Sequence, residues 1–220
     1  MKRFMLCRRI REMEMSAQTA FVLEHAIAPG FVTRNLPRYL LEEKEKGGET
    51  RLSVSVRDES ICITNFDKKG GAAYFSADGK WGFQKKVDHC ILIHREEGWE
   101  LCLFEMKSHV GVETWLSNIK PKIRSSYLRM SGFAAVCGIV IQKVVAYTTY
   151  EEDRFRSAKE TTAPFSYRQP ILRKQPLRDP YQEEWKAGRV YIYLGKELPL
   201  EHKKVRLQRV DGVLQGELQI

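Results

Sequence analysis

Residues 87–107, VDHCILIHREEGWELCLFEMK, read as two strands and a turn. The run 87–95 is rich in β-branched and other apolar residues, as is 101–106, whereas Glu96, Glu97 and Gly98 are polar and turn-forming. With a loop at Glu97-Gly98, or a longer one over 96–99, Arg95 faces Glu100 and Asp88 faces Lys107. Side chains alternate between the two faces of a strand, so Glu105 and Lys107 share a face that Asp88 joins from the partner strand. Cys90 and Leu92 lie on that face and Ile91, Ile93, Cys102 and Phe104 on the other. Apolar residues on both sides are the pattern of a central strand pair covered on both faces.

Two carboxylates and a lysine at one end of such a pair are costly to hold without compensation. A divalent cation is one compensation. Asp88, Glu105 and the backbone carbonyl of Met106 make a hard oxygen set suited to Mg²⁺ or Mn²⁺, with coordination positions left for water and substrate oxygens. Lys107 then orients or deprotonates an attacking water, or stabilises charge developing on a phosphoryl oxygen. The bland alternative is an ion pair of the lysine with these acids at the sheet's end, which contributes little where it is exposed.

These residues resemble the PD-(D/E)xK nuclease superfamily, also called restriction-endonuclease-like. Its signature is an acid on one core strand, followed on the next strand by an acid, any residue and a lysine; Asp88, Glu105 and Lys107 match in that order, over roughly residues 50–147. The proline of the signature is absent, since Val87 precedes Asp88. The resemblance implies an α/β domain with a mixed central sheet flanked by helices, a restriction-endonuclease-like core. It also implies a metal-dependent endonuclease, a phosphodiester hydrolase most often found in a host-defence or mobile-element setting. In such proteins an acid on the helix before the sheet often adds a metal ligand, which makes Glu24 a candidate beside its plainer role as a solvated helix residue. Basic residues on the helix after the lysine strand often contact phosphates. Here those are Lys120, Lys122 and Arg124, whose alternative is a solvated helix surface.

The chain has 220 residues, enough for a sizeable core, and a net charge of +9. Such a balance points to a polyanionic partner, nucleic acid before membrane, and together with the nuclease resemblance the expected substrate is DNA. No apolar run is long enough to span a bilayer, and the basic first 15 residues lack the apolar centre and cleavage site of a secretory signal, so a cytoplasmic location is expected. Cys7, Cys62, Cys90, Cys102 and Cys137 are odd in number and widely spaced, as buried small hydrophobes would be, with neither a disulfide framework nor a zinc spacing. A deaminase zinc pattern, a Walker-type loop and a Gly-x-Ser-x-Gly elbow are all missing.

Outward from the central stretch, residues 3–15 read as an amphipathic helix or a strand, and Ser16 caps a helix that runs to Pro29-Gly30. A second helix is expected over 36–46, with Pro37 in its first turn and Gly47-Gly48 at its end. Residues 51–56 and 60–64 read as a hairpin, and basic glycine-rich loops at 68–71 and 77–80 flank a short strand at 72–75. Val112, Leu116, Ile119, Ile123, Tyr127 and Met130 step at helical spacing, with Pro121 either kinking the helix or starting a new one. Residues 133–147 read as a long buried strand, broken near Gly138 or Gln142, that completes a parallel crossover. Residues 151–187 form a basic, proline-rich insertion in which Arg168, Arg173 and Lys174 interleave with aromatics, a nucleic-acid-binding composition and equally that of a loop docked on its own domain. Strands follow at 190–194, 205–210 and 213–218, the last two around Asp211-Gly212.

The expectation is therefore a single nuclease-like domain over 1–220, with a core at roughly 16–147, an insertion at 151–187 and C-terminal β additions at 189–220. The rival is a non-catalytic nucleic-acid-binding or scaffold subunit of a larger complex built on the same fold. A homo-oligomer is compatible with either.

Overall fold

The computed structural model describes residues 15–45, 48–64, 66, 82–155 and 180–220. In chain order the strands are β1 (Val32–Arg34), β2 (Arg38–Glu45), β3 (Gly48–Ser55), β4 (Ser60–Ile63), β5 (His89–Arg95), β6 (Gly98–Met106), β7 (His109–Val110), β8 (Ile141–Tyr150), β9 (Glu152–Asp153), β10 (Arg189–Tyr193), β11 (Glu197–Arg206), β12 (Gln208–Val210) and β13 (Val213–Gln219). The helices are α1 (Ala17–Phe21, followed by a π-helical turn Val22–Ala26), α2 (Val112–Thr114), α3 (Lys120–Val136) and α4 (Pro180–Ala187), with a π-helical turn Trp115–Ile119 linking α2 to α3. The protein is α/β, with a large mixed sheet and few helices.

β5 and β6 form the expected hairpin, but around a shorter turn. Arg95 pairs with Gly98 and His89 with Phe104, so Glu96-Glu97 are the loop and Gly98, at φ +117°, opens β6. The pairing anticipated between Arg95 and Glu100 is thus shifted by two residues. A two-residue shift leaves every side chain on its face. Cys90, Leu92, Leu101 and Leu103 share one core with the helices, while Ile91, Ile93, Cys102 and Phe104 belong to a second core on the opposite side.

The main sheet runs β1-β4-β5-β6-β8-β11-β10. β4, β5 and β6 are an antiparallel meander; β8 lies parallel to β6 after the α3 crossover, and β11 is parallel to β8 in turn. Trp115, Ile119, Ile123, Met130 and Ala134 cover one face from α3 and the turn before it. The other face is covered by a second sheet, β12-β13-β3-β2, through Tyr39, Leu41, Leu52, Val54 and Leu214.

Several elements depart from the sequence expectation. The helix expected over 36–46 is instead β2: Tyr39 and Leu41 are buried while Leu40 and Glu42 face out, and cross-strand ion pairs, Glu42 with Arg51 at 3.2 Å and Lys44 with Glu49 at 3.4 Å, absorb charges that looked like a helix surface. Residues 51–56 and 60–64 are strands as read but do not pair as a hairpin; β3 joins the second sheet and β4, buried along its whole length, joins the main one. The run 133–147 is strand only from Ile141. Its first part finishes α3, which ends with Gly138 at φ +69° and the bonds Ile139 N–H to Ala134 carbonyl (2.8 Å) and Gly138 N–H to Ala135 carbonyl (3.1 Å), a Schellman stop. In the buried stripe, expected from Val112 through Leu116, Trp115 takes the place of the exposed Leu116, because the π-helical turn shifts the phase just before Pro121. Residues 180–187, taken as part of the insertion, are the helix α4, anchored by buried Trp185. The parallel pairing of β11 was also missed. The elements read at 68–71, 72–75 and 77–80 lie outside the described residues, as do all but the last residue of the element read at 3–15 and residues 156–179 of the insertion read at 151–187.

Strand alternation in β2 makes a direct prediction. Leu41→Ala, at a position 2% exposed, should cost about 2–5 kcal/mol of unfolding free energy. Leu40→Ala, at 60% exposure, should stay within about 0.5 kcal/mol in the same urea titration. Equal losses at both positions would contradict the strand.

Candidate active site

The segment 82–88 carries the chain into β5 and is bolted to α3. Ser126 Oγ accepts the Val87 N–H at 2.9 Å, and Arg129 donates to the Phe83 carbonyl at 3.0 Å. Proline at position 121 lacks the N–H that would bond the carbonyl of Ser117 one turn earlier. Lys85 Nζ donates to that carbonyl instead, at 2.5 Å. Gly82, at φ +65°, lies against the Pro121 ring. The start of β5 and the start of α3 are therefore fixed to each other. The Asp88 N–H extends the β5–β6 ladder by donating to the Phe104 carbonyl at 3.0 Å, which sets Asp88 beside Glu105 rather than opposite Lys107.

Asp88, Glu105 and Lys107 come together on the helix-covered face. Glu105 has no exposed surface and Asp88 is 4% exposed. Asp88 Oδ2 accepts the Met106 N–H at 2.6 Å, and Lys107 Nζ lies 3.1 Å from Glu105 Oε1. Lys122 of α3 reaches the same place: its Nζ is 2.7 Å from Glu105 Oε1 and 3.2 Å from Asp88 Oδ1. Among the described residues, the buried Glu105 Oε2 has no hydrogen-bond partner. Burial, reinforced by Asp88, pushes the Glu105 carboxyl up to about 8 against the pull of Lys122 and Lys107. Burial also works against the Lys122 ammonium, but Glu105 and Asp88 outweigh it and hold that group above its ordinary value.

Lys122 was expected to contact phosphates from the helix surface; the structure places its ammonium between the acids. The signal for this in the sequence is thin: Lys122 directly precedes Ile123 in the buried stripe, so it borders the sheet. Lys120, also expected at a phosphate, instead donates to both carboxylate oxygens of Glu184 at 2.8 and 2.9 Å and lies over the Tyr181 ring, joining α3 to α4. Arg124 packs its guanidinium over Phe83, 5.1 Å from the ring centre. Glu24 is exposed beside His25 and is not brought to Asp88 and Glu105. Arg168, Arg173 and Lys174 lie outside the described residues.

Sequence reading also missed how far the polar strip extends. Thr148 pairs in register with Glu105 across β6 and β8, is fully buried, and its Oγ1 lies 2.9 Å from His202 Nε2 on β11. Burial drives the His202 imidazole down to about 3, so it is neutral at ordinary pH. Cys62, Cys90, Cys102 and Cys137 are buried free thiols, and burial raises each of them, Cys62 to about 12.

For a hard cation the fit rests on Glu105 Oε2, a buried oxygen with no hydrogen-bond partner among the described residues, together with the neighbouring Asp88 carboxylate. The Met106 N–H points toward Asp88, and in an extended strand a residue's carbonyl points to the same side as its N–H. Two carboxylates and a carbonyl suffice for Mg²⁺, which retains waters. No group of three or more His, Cys, Asp or Glu suited to a metal occurs among the described residues. Compared with family models, with curated proteins and with solved structures, the chain shows no match.

The raised Glu105 carboxyl fixes the sign of a pH effect. Below the unfolded value of 4.5, native and unfolded chains are both protonated there and the group is neutral to stability. From that pH up to about 8 the unfolded chain ionises first, so metal-free stability falls as pH rises through this window. Glu105→Gln should flatten that slope and raise the metal-free melting temperature at pH 8 by a few °C, on the order expected for a chain of this size. Calorimetry from pH 4 to 8.5 reads it, and parallel curves for the two proteins would refute the assignment.

Proposed function

We propose that the chain is a divalent-metal-dependent nuclease that hydrolyses phosphodiester bonds, with DNA as its substrate. One observation carries the reading: the two acids and Lys107 converge at the ends of β5 and β6 around a buried Glu105 oxygen that has no hydrogen-bond partner among the described residues. The order of elements, an antiparallel meander followed by a helical crossover to a parallel strand, supports the same reading through the restriction-endonuclease-like core that the residue pattern resembles.

Asp88, Glu105 and the Met106 carbonyl would hold the ion. An ion bound there would polarise a phosphoryl oxygen and lower the pKa of a water. The chain's own contribution is positional. Met106 N–H pins one oxygen of Asp88, leaving the other directed at the site. Lys107, two residues past Glu105, brings an ammonium to the rim with its side chain only 12% exposed. There it steadies a water nucleophile and stabilises negative charge as it grows on the phosphorus-bound oxygens. The net charge of +9 draws in the polyanion. A fixed carboxyl that titrates near 8 makes ion binding proton-linked, because the carboxylate is the ligand.

A second reading has its own observation. Lys122 already compensates both carboxylates, so the site can stand closed as an ion-paired cluster, as in a nucleic-acid-binding or scaffold subunit without catalysis.

Asp88→Ala and Glu105→Ala should each abolish Mg²⁺-dependent cleavage of duplex DNA while circular dichroism shows the fold retained. Lys107→Ala should lower the single-turnover rate at saturating enzyme about a hundredfold or more, with DNA affinity little changed. A wild-type rate for that variant removes Lys107 from the chemistry. Absence of cleavage in the wild-type protein, with Mg²⁺ or Mn²⁺ on single- or double-stranded nucleic acid, would favour the binding reading.

A further inference from the structure

The Lys122 ammonium contacts one oxygen of each acid, Asp88 Oδ1 at 3.2 Å and Glu105 Oε1 at 2.7 Å. This is the place a cation shared by the pair would take. Lys107, in contrast, touches Glu105 from the strand's own end, at 3.1 Å. The two lysines are not equivalent. Lys107 is held by backbone continuity with the acid it serves, its N–H bonded to Thr149 Oγ1 at 3.2 Å. Lys122 reaches across from a different element on a flexible four-carbon stem, with 18% of its side chain exposed, so an exit to solvent is open to it.

We propose that Lys122 is the resident cation of this site and that a divalent ion binds by exchanging with it. The proposal rests on the metal-dependent reading above. In the metal-free protein the ammonium holds the two buried acids together. A second cation cannot bridge the same two oxygens while the ammonium remains, since like charges at that separation in a buried site repel strongly. Entry of the ion therefore expels Lys122 toward the rim, where Lys107 also repels it and a phosphate is the natural new partner. Ion and polyanion consequently favour each other's binding, each strengthening the other by the same factor. Either one alone has to open the ion-paired cluster, and with both present the cluster opens more readily.

The test measures Mn²⁺ binding by electron paramagnetic resonance, at one pH, to the wild-type protein, to Lys122→Met and to Lys120→Met. Lys120 serves as the control because it lies on the same helix and carries the same charge but is tied to Glu184. Lys122→Met should bind Mn²⁺ about tenfold tighter or more, whereas Lys120→Met should stay within about twofold of wild type. Lys122→Gln replaces Lys122→Met should the apolar variant fail to fold. A crystal of the wild-type protein grown with Mn²⁺ should show Lys122 Nζ out of hydrogen-bond reach of Glu105. Equal Mn²⁺ affinity with and without the Lys122 ammonium, or an ammonium still on Glu105 beside the bound ion, overturns the exchange while the metal-dependent reading stands. Failure of every variant to bind Mn²⁺ overturns that reading, and the exchange with it.

Discussion

A carboxyl group with no exposed surface either keeps its proton or, once ionised, has to be given positive charge by the protein itself or by what it binds. Glu105 imposes that demand here, at the end of a strand covered on both faces. Much of the surrounding structure answers it. Asp88 cannot relieve Glu105, since it adds like charge, so lysines must arrive from two directions: Lys107 along the strand and Lys122 from the helix. The bonds from α3 to the segment before β5 hold that arrangement, because they fix the element carrying Lys122 to the element carrying Asp88.

The two covers of the central hairpin have different work. Helix α3 and the turns before it supply both apolar packing and charge to the face that holds the acids. The second sheet supplies apolar packing to the opposite face, through Leu52, Val54 and their neighbours. Glu105 itself has no exposed surface, while the side chains of the two lysines that reach it keep a little, 12% for Lys107 and 18% for Lys122.

The central hairpin was legible because its information is local. Alternation assigns faces regardless of which turn closes the loop, and the shift from an Arg95–Glu100 to an Arg95–Gly98 pairing left the parity intact. The crossover from β6 to β8 was legible for a similar reason, since a helical period followed by an apolar run allows few arrangements. What failed depended on partners distant in sequence. The charged half of β2 reads as a helix surface until Arg51 and Glu49 of β3 stand beside it. β3 and β4 look like one hairpin because nothing local says that their faces are buried against different cores. Lys122 looks like a surface lysine because its acids lie on two other elements, and α4 vanished into a proline-rich stretch because its anchor, Trp185, is one buried residue among polar ones.

The parallel pairing of β13 with β3 sets the order in which this molecule can mature. Leu214 lies against Thr50 and Gln219 against Ser55, so the second sheet closes only by a contact spanning most of the described chain. Contacts of that kind form slowly, because a long loop must be ordered before they return any stabilisation. The centre of the helix-covered face, made by β5, β6, α3 and β8, is built from neighbours in sequence and can assemble early. The opposite face, with Ile91, Ile93 and Phe104, meets the β2–β3 hairpin early but is completed only when Leu207 and Leu214 arrive, and until then part of it stays open to other chains. The half that bears the acids would thus be formed while its back remains a hazard for aggregation, and crowded synthesis would stress this protein at the face farthest from its chemistry.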